Sequence, residues 1–191
     1  MTEYETKYNG TKILFVGITH NSPISFERVK HVLETTNCPV LLEYCKTRYN
    51  ARIKRKFGFW SIMAKDILTI EEYVIKYCEK HNRPYHFIDQ DVKVTLKQLF
   101  GWNILEWLCH FVVRLLTTPR ITEEEALRQE FMPISEIVLP EHQYNVLVKN
   151  REEYMVKQIK QYIEQNKPKE VLVIVGKAHI PGLIQKLNQI N

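Results

Sequence analysis

Two histidines near opposite ends of the chain follow the same short sequence pattern. His20 ends the segment ILFV-GITH, and His179 ends the segment VLVIV-GKAH. Each apolar run predicts a buried strand, and the glycine after it permits a tight turn. Each histidine should therefore stand just beyond the carboxyl end of a strand, which is the edge where open α/β sheets bind ligands.

Three charged residues are predicted to reach the same edge. Glu43 and Asp89 follow the apolar runs PVLL and YHFI, and Arg151 begins the predicted helix that leads into the last strand. Each has an ordinary alternative. A glutamate at a strand end is usually solvated or paired with lysine, Asp89 could cap the next helix, and Arg151 could pair with Glu124.

Two imidazoles and a carboxylate form a workable site for a divalent metal ion. Such an ion lowers the pKa of bound water and polarises a carbonyl group, and a second carboxylate could act as general base. Without a metal, one histidine could itself be the base, oriented by Glu43. Arg151 could stabilise a developing oxyanion or hold a substrate carboxylate.

Composition restricts the classes of protein to which the chain could belong. A chain of 191 residues with 45% hydrophobic residues predicts one globular domain, residues 1–191. It has no apolar run long enough to span a membrane, and Met1 to Asn9 lack the apolar core of a secretory signal. The four cysteines form no CxxC pair, which favours free thiols and a cytoplasmic location.

The order of elements up to Asp89 is β-α-β-α-β with short connections, which predicts an α/β fold with a central, largely parallel sheet flanked by helices. A helical insertion is predicted at about residues 92–145, before a last helix-strand-helix unit. Its apolar segment Trp102 to Leu116 fits burial, a dimer interface or peripheral contact with a membrane surface. Glu106 and His110 share one face there.

A basic stretch, Lys46 to Lys56, lies beside the predicted site. Its charge and aromatic residues are compatible with nucleic acid. A solvated helix face is the more common meaning of such a pattern, so nucleic acid is not the expected partner. The net charge of +5 favours an anionic partner only weakly. Cys45 is a candidate nucleophile, although a half-buried structural thiol is more common.

Four blocks of the sequence resemble the TraB/PrgY family. They are Gly17-x-Thr19-His20-x-Ser22-x-x-Ser25, Glu43-x-Cys45-x-x-Arg48, residues 88–96 (IDQDVKVTL), and Arg151-x-x-Tyr154-Met155 with Val173 to Gly182. The chain departs from the family pattern at Gln90, where arginine is usual, and at Asn150, where an acid is usual. It also lacks the long hydrophobic C-terminal region of many relatives.

The resemblance implies a fold like that of the erythromycin esterases and ChaN-like haem-binding lipoproteins. The family is also similar to the Tiki proteases, which implies a metal-dependent hydrolase that uses manganese or cobalt, with zinc as an alternative, on a peptide or protein substrate. The residues implied for metal binding are His20, Glu43 and His179. Those implied for catalysis are Glu43, Arg151 and His20, and those implied around the substrate are Arg48, Asp89 and Ser22.

Two other functions fit the same resemblance. The pheromone-shutdown members regulate peptide signalling, which implies a non-catalytic regulator that binds a peptide or a protein partner. The esterase relatives imply a metal-free hydrolase. Fold-level kinship does not choose among these reactions.

Overall fold

A computed structural model describes residues 3–19, 22–52, 69–100 and 141–189. They form a five-stranded sheet in the order β1-β2-β5-β3-β4. The strands are β1 (Glu3–Tyr8), β2 (Thr11–Ile18), β3 (Val40–Leu42), β4 (Tyr85–Phe87) and β5 (Glu170–Gly176). The last four in the order run parallel, and β1 pairs antiparallel with β2. The prediction of a largely parallel α/β fold is confirmed.

Helices connect these strands. They are α1 (Pro23–Thr35), α2 (Lys46–Arg52), α3 (Ile70–Lys80), α4 (Val92–Phe100), α5 (Glu141–Tyr144), α6 (Asn150–Asn166) and α7 (Ile180–Asn188). A π-helical segment, Asn145–Lys149, joins α5 to α6, and a 3₁₀ turn, Lys177–His179, joins β5 to α7.

Helices pack on both faces of the sheet, so its central strands are buried on both sides. Alternate residues of β2 and β5 point to opposite faces. Val16 and Ile174 pack with α1 and α3, whereas Phe15 and Val173 pack with α6 and α7. The strand ends that carry the site are therefore held by two hydrophobic layers.

The first strand was not predicted. The sequence interpretation treated Met1 to Asn9 only as a polar terminus, whereas Glu3–Tyr8 forms an edge strand paired with β2. An edge strand with little apolar character gives a weak periodic signal. The stronger signal is its turn, because Asn9 and Gly10 both have positive φ, as a tight hairpin requires.

The start of α3 is fixed by its N-cap. Thr69 has an extended conformation, and α3 begins at Ile70. The Thr69 hydroxyl accepts from the Glu72 amide, and the Glu72 carboxylate accepts from the Thr69 amide. This reciprocal capping box satisfies the first orphan amides of the helix and sets its start.

At the edge opposite the predicted site, Arg83 ties α1 to the sheet. Its buried guanidinium donates to the carbonyls of Leu33, Thr36 and Cys38 at 2.6–3.0 Å. These bonds satisfy carbonyl groups at the end of α1 and before β3.

Several predictions fall on residues outside the described part of the chain. They include the apolar segment Trp102 to Leu116 with Glu106 and His110, the end of the basic stretch after Arg52, and most of the insertion at 92–145. The insertion and the single-domain organisation stay predictions. Within the described ranges, no helix combines the length and the apolar character needed to cross a membrane.

Candidate functional site

The carboxyl ends of three neighbouring strands meet at one edge of the sheet. Ile18, the last residue of β2, pairs in register with Gly176 at the end of β5. Leu42, the last residue of β3, pairs with Ile174 on the other side of β5. The Glu43 amide continues this pairing by donating to the Ile174 carbonyl at 2.9 Å. Glu43 is thus fixed beside the turn that follows β5.

Both carboxylate oxygens of Glu43 have partners. Oε2 accepts a hydrogen bond from the Gly176 amide at 2.6 Å, and Oε1 accepts one from Nη2 of Arg151. The residue is buried, so its charge needs these partners. One contact comes from the β5 turn and the other from α6, so this carboxylate joins two elements that are distant in sequence from β3.

Arg151 binds two carboxylates at once. Besides Glu43, it donates to Asp89 from Nε to Oδ1 at 2.9 Å and from Nη2 to Oδ2 at 3.0 Å. Burial lowers the pKa of Arg151, but Glu43 and Asp89 outweigh burial and raise this pKa above its ordinary value. The guanidinium therefore stays charged and neutralises two buried anions.

The backbone around Arg151 differs from the predicted helix start. Arg151 was expected to begin its helix, but the backbone is already helical from Glu141 to Tyr144 and passes through the π-helical segment before α6. A third donor of Arg151, Nη1, bonds the Leu147 carbonyl inside that segment at 3.3 Å. Short π-helical turns are often found at functional sites.

Asp89 binds Arg151 and does not cap the following helix. The capping role belongs to Asp91, whose Oδ1 accepts from the Lys93 amide at 2.9 Å. A second arginine, Arg48 of α2, lies 3.7 Å from Oδ2 of Asp89 through its Nη1. The Arg48 side chain is 41% exposed, so unlike Arg151 it is open to solvent.

His179 lies between two carboxylates. Its ring is buried, with Nε2 at 3.6 Å from Oε1 of Glu43 and Nδ1 at 3.6 Å from Oε1 of Glu152. Both distances are too long for a hydrogen bond. Within the described ranges, Nδ1 is a buried nitrogen with no hydrogen-bond partner.

His20 lies outside the described residues, so its predicted place beside His179 stays a prediction. Gly17 of the first motif packs on the turn of the second, because a Cβ on Gly17 would lie 2.8 Å from Ile180 and 3.1 Å from the Lys177 Cβ. The two GxxH motifs therefore begin in direct contact. Ser22, which the resemblance implies near the substrate, is the N-cap of α1, and its hydroxyl accepts from the Ser25 amide at 3.3 Å.

The described donors fit part of a metal site. Ligands held at about 2.0–2.2 Å from one ion lie at most about 4.4 Å apart, so His179 Nε2 and Glu43 Oε1 are close enough to share an ion. In the ranges 3–19, 22–52, 69–100 and 141–189, no group of three side chains could hold a metal by itself. The third predicted ligand, His20, is not in those ranges.

A cavity of about 330 Å³ adjoins the charged cluster. Its lining includes Cys45, Lys46 and Asp89 from the strand edge and Tyr154 and Gln158 from α6. Cys45 itself is buried. This combination of an aromatic ring, a lysine and carboxylates is suited to a mixed polar and apolar ligand.

Sequence reasoning missed two elements of this site. One is the Gly176 amide, which binds Glu43 and has no side chain to reveal it. The other is Glu152, which packs against Gly182: a Cβ on Gly182 would lie 2.1 Å from Oε2 of Glu152. The sequence did contain a signal for Glu152. Gly182 follows His179 by three residues, so the two lie one helical turn apart on the same face.

Comparison with protein families supports the resemblance. A model described as the TraB/PrgY/gumN family matches residues 105–190. The matched segment contains Arg151 and His179, and it does not include Glu43 or Asp89. The family prediction is confirmed by this match. A comparison with curated proteins found no match.

Proposed function

We propose that this chain, whose residues 105–190 match the TraB/PrgY/gumN family, is a metal-dependent hydrolase. It would cleave peptide bonds at the carboxyl edge of the sheet. One observation carries the proposal: His179 Nε2 lies 3.6 Å from the Glu43 carboxylate, beside the end of the strand that leads to His20. We assign His20, Glu43 and His179 as the ligands of one divalent ion.

The ion would supply a Lewis acid and an activated water molecule. Manganese or cobalt is the first choice by the family resemblance, and zinc is the alternative. The protein's contribution is to hold the ligands in place. Glu43 is anchored by the Gly176 amide and by Arg151, and His179 is buried in the turn after β5. Such anchoring keeps ligand geometry within the narrow range that catalysis needs.

Arg151 is assigned a positioning role. Its Nε and Nη2 donate to Asp89 and Glu43, and its Nη1 donates to the Leu147 carbonyl. A guanidinium whose nitrogens are engaged in this way orients carboxylates, and few of its N–H groups remain to bind an oxyanion. Arg48, which is more exposed and lies at the same cluster, is the better candidate to meet negative charge on the substrate.

The proposed substrate is a peptide or protein segment. The cavity next to Asp89 offers the Tyr154 ring, 38% exposed, for an apolar side chain and Lys46 and Asp91 for polar groups. Peptide backbones and side chains present this mixture of groups. The choice of peptide bonds over other carbonyl compounds rests on the family resemblance.

A metal-free hydrolase is the second candidate, favoured by one specific observation. His179 lies between the Glu43 and Glu152 carboxylates, with a ring nitrogen 3.6 Å from an oxygen of each, as would suit a general base. In that mechanism the neutral His179 removes a proton from water, and the neighbouring carboxylates stabilise the imidazolium that forms.

The test combines metal content with peptide hydrolysis. The purified chain is incubated with a mixture of synthetic peptides and the products are identified by mass spectrometry. The same assay is run after EDTA treatment and after adding back Mn²⁺, Co²⁺ or Zn²⁺. The metal-dependent mechanism predicts activity that EDTA abolishes and an added ion restores.

Variants make the test specific to the site. His179→Ala and Glu43→Gln should remove both the bound metal and hydrolysis, whereas His31→Ala, at an exposed position of α1, should change neither. Activity that survives EDTA supports the metal-free mechanism instead. No cleavage with any ion contradicts both and leaves the non-catalytic regulator, whose binding surface would then be sought among residues 102–116.

A further inference from the structure

We propose that Glu152 is a positioning residue for His179. Its carboxylate stabilises the tautomer of the imidazole that carries the proton on Nδ1, and this tautomer leaves the Nε2 lone pair facing Glu43. This inference rests on the proposed function, because it concerns the orientation of a residue assigned there as a ligand. It adds a residue that the four sequence motifs did not single out as part of the site.

The first support is the contact itself. Nδ1 of His179 is buried and without a hydrogen-bond partner among the described residues, and Oε1 of Glu152 lies 3.6 Å from it. A shift of about half an ångström brings this pair into the usual N–H···O range. A buried ring nitrogen that carries a proton needs such an acceptor, so the pair is one small movement away from a hydrogen bond.

The second support is that the two carboxylates beside the imidazole differ. Glu43 is already occupied, with Oε1 bound by Arg151 and Oε2 by Gly176. Among the described residues, Glu152 pairs at 3.6 Å with the partly exposed Lys186 and lies 3.6 Å from His179, and neither contact is as short as those of Glu43. Glu152 is therefore the acceptor with more capacity to take the imidazole proton.

The third support is the shape of the α7 backbone. Gly182 lies where the Glu152 side chain approaches the helix, and a Cβ there would lie 2.1–2.5 Å from all three carboxyl atoms. The absence of a side chain at position 182 thus leaves the space that the Glu152 carboxylate occupies beside His179. The spacing of His179 and Gly182 in the sequence therefore places the glycine where the Glu152 carboxylate needs space.

A hydrogen bond from the non-ligating nitrogen of a histidine fixes its tautomer and its ring orientation. Removing the acceptor commonly weakens metal binding by about 10–100-fold. The Nδ1–H form directs the Nε2 lone pair to the space next to Glu43. Glu152 would thereby act on the proposed ion through His179, without touching it.

Two substitutions test this role. Glu152→Gln keeps the shape but replaces an obligate acceptor by an amide that can also donate. Gly182→Ala keeps every charge and pushes the carboxylate away, and because the flexible end of Glu152 can move, the fold should be retained. The matched control is Glu153→Gln, which changes the next acid in α6, mostly exposed and 3.9 Å from the same Lys186.

The first readout is the tautomer of His179, measured by ¹⁵N NMR of the metal-free protein at a pH where the ring is neutral. We expect the Nδ1–H form to dominate in the starting protein and in Glu153→Gln, and to lose that dominance in Glu152→Gln and Gly182→Ala. Equal tautomer populations in all four proteins would overturn the proposal.

The second readout is the affinity for Mn²⁺ alone, measured by calorimetry on the full chain. We expect about 10–100-fold weaker binding in Glu152→Gln and Gly182→Ala and no change in Glu153→Gln. Unchanged Mn²⁺ affinity in Glu152→Gln and Gly182→Ala would contradict the positioning role of Glu152. If no protein of the series binds Mn²⁺, Co²⁺ or Zn²⁺, the metal-dependent function fails, and the tautomer measurement still decides the role of Glu152.

Discussion

Arg151 donates two hydrogen bonds to Asp89, from Nε to Oδ1 at 2.9 Å and from Nη2 to Oδ2 at 3.0 Å. The same guanidinium binds Glu43, so one cation from α6 neutralises two buried carboxylates that follow β3 and β4. Without it, two negative charges would share a site from which most water is excluded. This relationship makes the strand-end carboxylates and α6 depend on each other.

Replacing Arg151 by methionine should therefore destabilise the fold. The change leaves Asp89 and Glu43 without their shared partner, and breaking a buried ion pair typically costs about 3–5 kcal/mol. The free energy of unfolding, measured by urea denaturation at pH 7, should fall by that amount. Arg48→Met is the control, since the more exposed Arg48 contacts Asp89 only at 3.7 Å and should cost less than about 1 kcal/mol. Equal losses in the two variants would refute the central role of Arg151.

Gly17→Ala should disturb the site more than it disturbs the fold. The new Cβ would lie 2.8 Å from Ile180 and within 3.2 Å of the Lys177 backbone, so the turn that carries His179 must move. Overpacking of this kind typically costs about 1–3 kcal/mol. We expect Mn²⁺ affinity to fall at least about tenfold, since a ligand displaced by a few tenths of an ångström leaves its productive position.

The control for this prediction is Gly10→Ala in the hairpin between β1 and β2. Gly10 has φ of +80°, and no atom of the described residues lies within 4 Å of its added Cβ, so alanine there strains the backbone by about 1 kcal/mol without touching the site. Urea denaturation should show a stability loss in both variants, and calorimetry should show weaker Mn²⁺ binding only in Gly17→Ala. Equal Mn²⁺ affinities would show that the contact between the two motifs does not position His179.

Much of this site could be predicted from the sequence. The apolar runs before Gly17 and Gly176 identified β2 and β5, and parallel strands of one sheet end at a common edge. That rule was enough to bring Glu43, Asp89 and His179 together, although they are distant in the chain. The helix before β5 had to run back along the sheet, which also brought Arg151 to this edge.

The remaining features depend on tertiary contacts that leave little periodic trace. The edge strand Glu3–Tyr8 has few apolar residues, and its pairing with β2 is visible mainly in the turn at Asn9 and Gly10. The π-helical segment before α6 follows no simple composition rule. Glu152 looked like an ordinary acid near the start of an amphipathic helix, and only its packing against Gly182 shows that it faces His179.

Stability should also depend on pH in the alkaline range through Cys78. Burial raises the pKa of this thiol to about 11 from an ordinary value of 9.0. The folded protein therefore holds the thiol proton more tightly than the unfolded chain. The resulting stabilisation is complete below about pH 9 and is lost as the pH rises to about 11, with an upper limit of about 2–3 kcal/mol.

The measurement is urea denaturation of the starting protein and of Cys78→Ala at several pH values from 8 to 11. Other groups titrate in this range, but they are common to both proteins. The free energy of unfolding should decline more steeply with pH in the starting protein than in Cys78→Ala. Parallel curves would show that the Cys78 thiol titrates alike in the folded and unfolded states.

In the proposed function, His179 and Glu43 belong to one divalent-metal site at the carboxyl edge of the sheet. The most direct measurement is Mn²⁺ binding to the metal-free chain by calorimetry, with His179→Ala and the exposed His31→Ala compared in parallel. We expect about one ion per chain in the unmodified protein and in His31→Ala, and no such binding in His179→Ala. Equal binding in all three proteins, or no binding of Mn²⁺, Co²⁺ or Zn²⁺ to the starting protein, would contradict it.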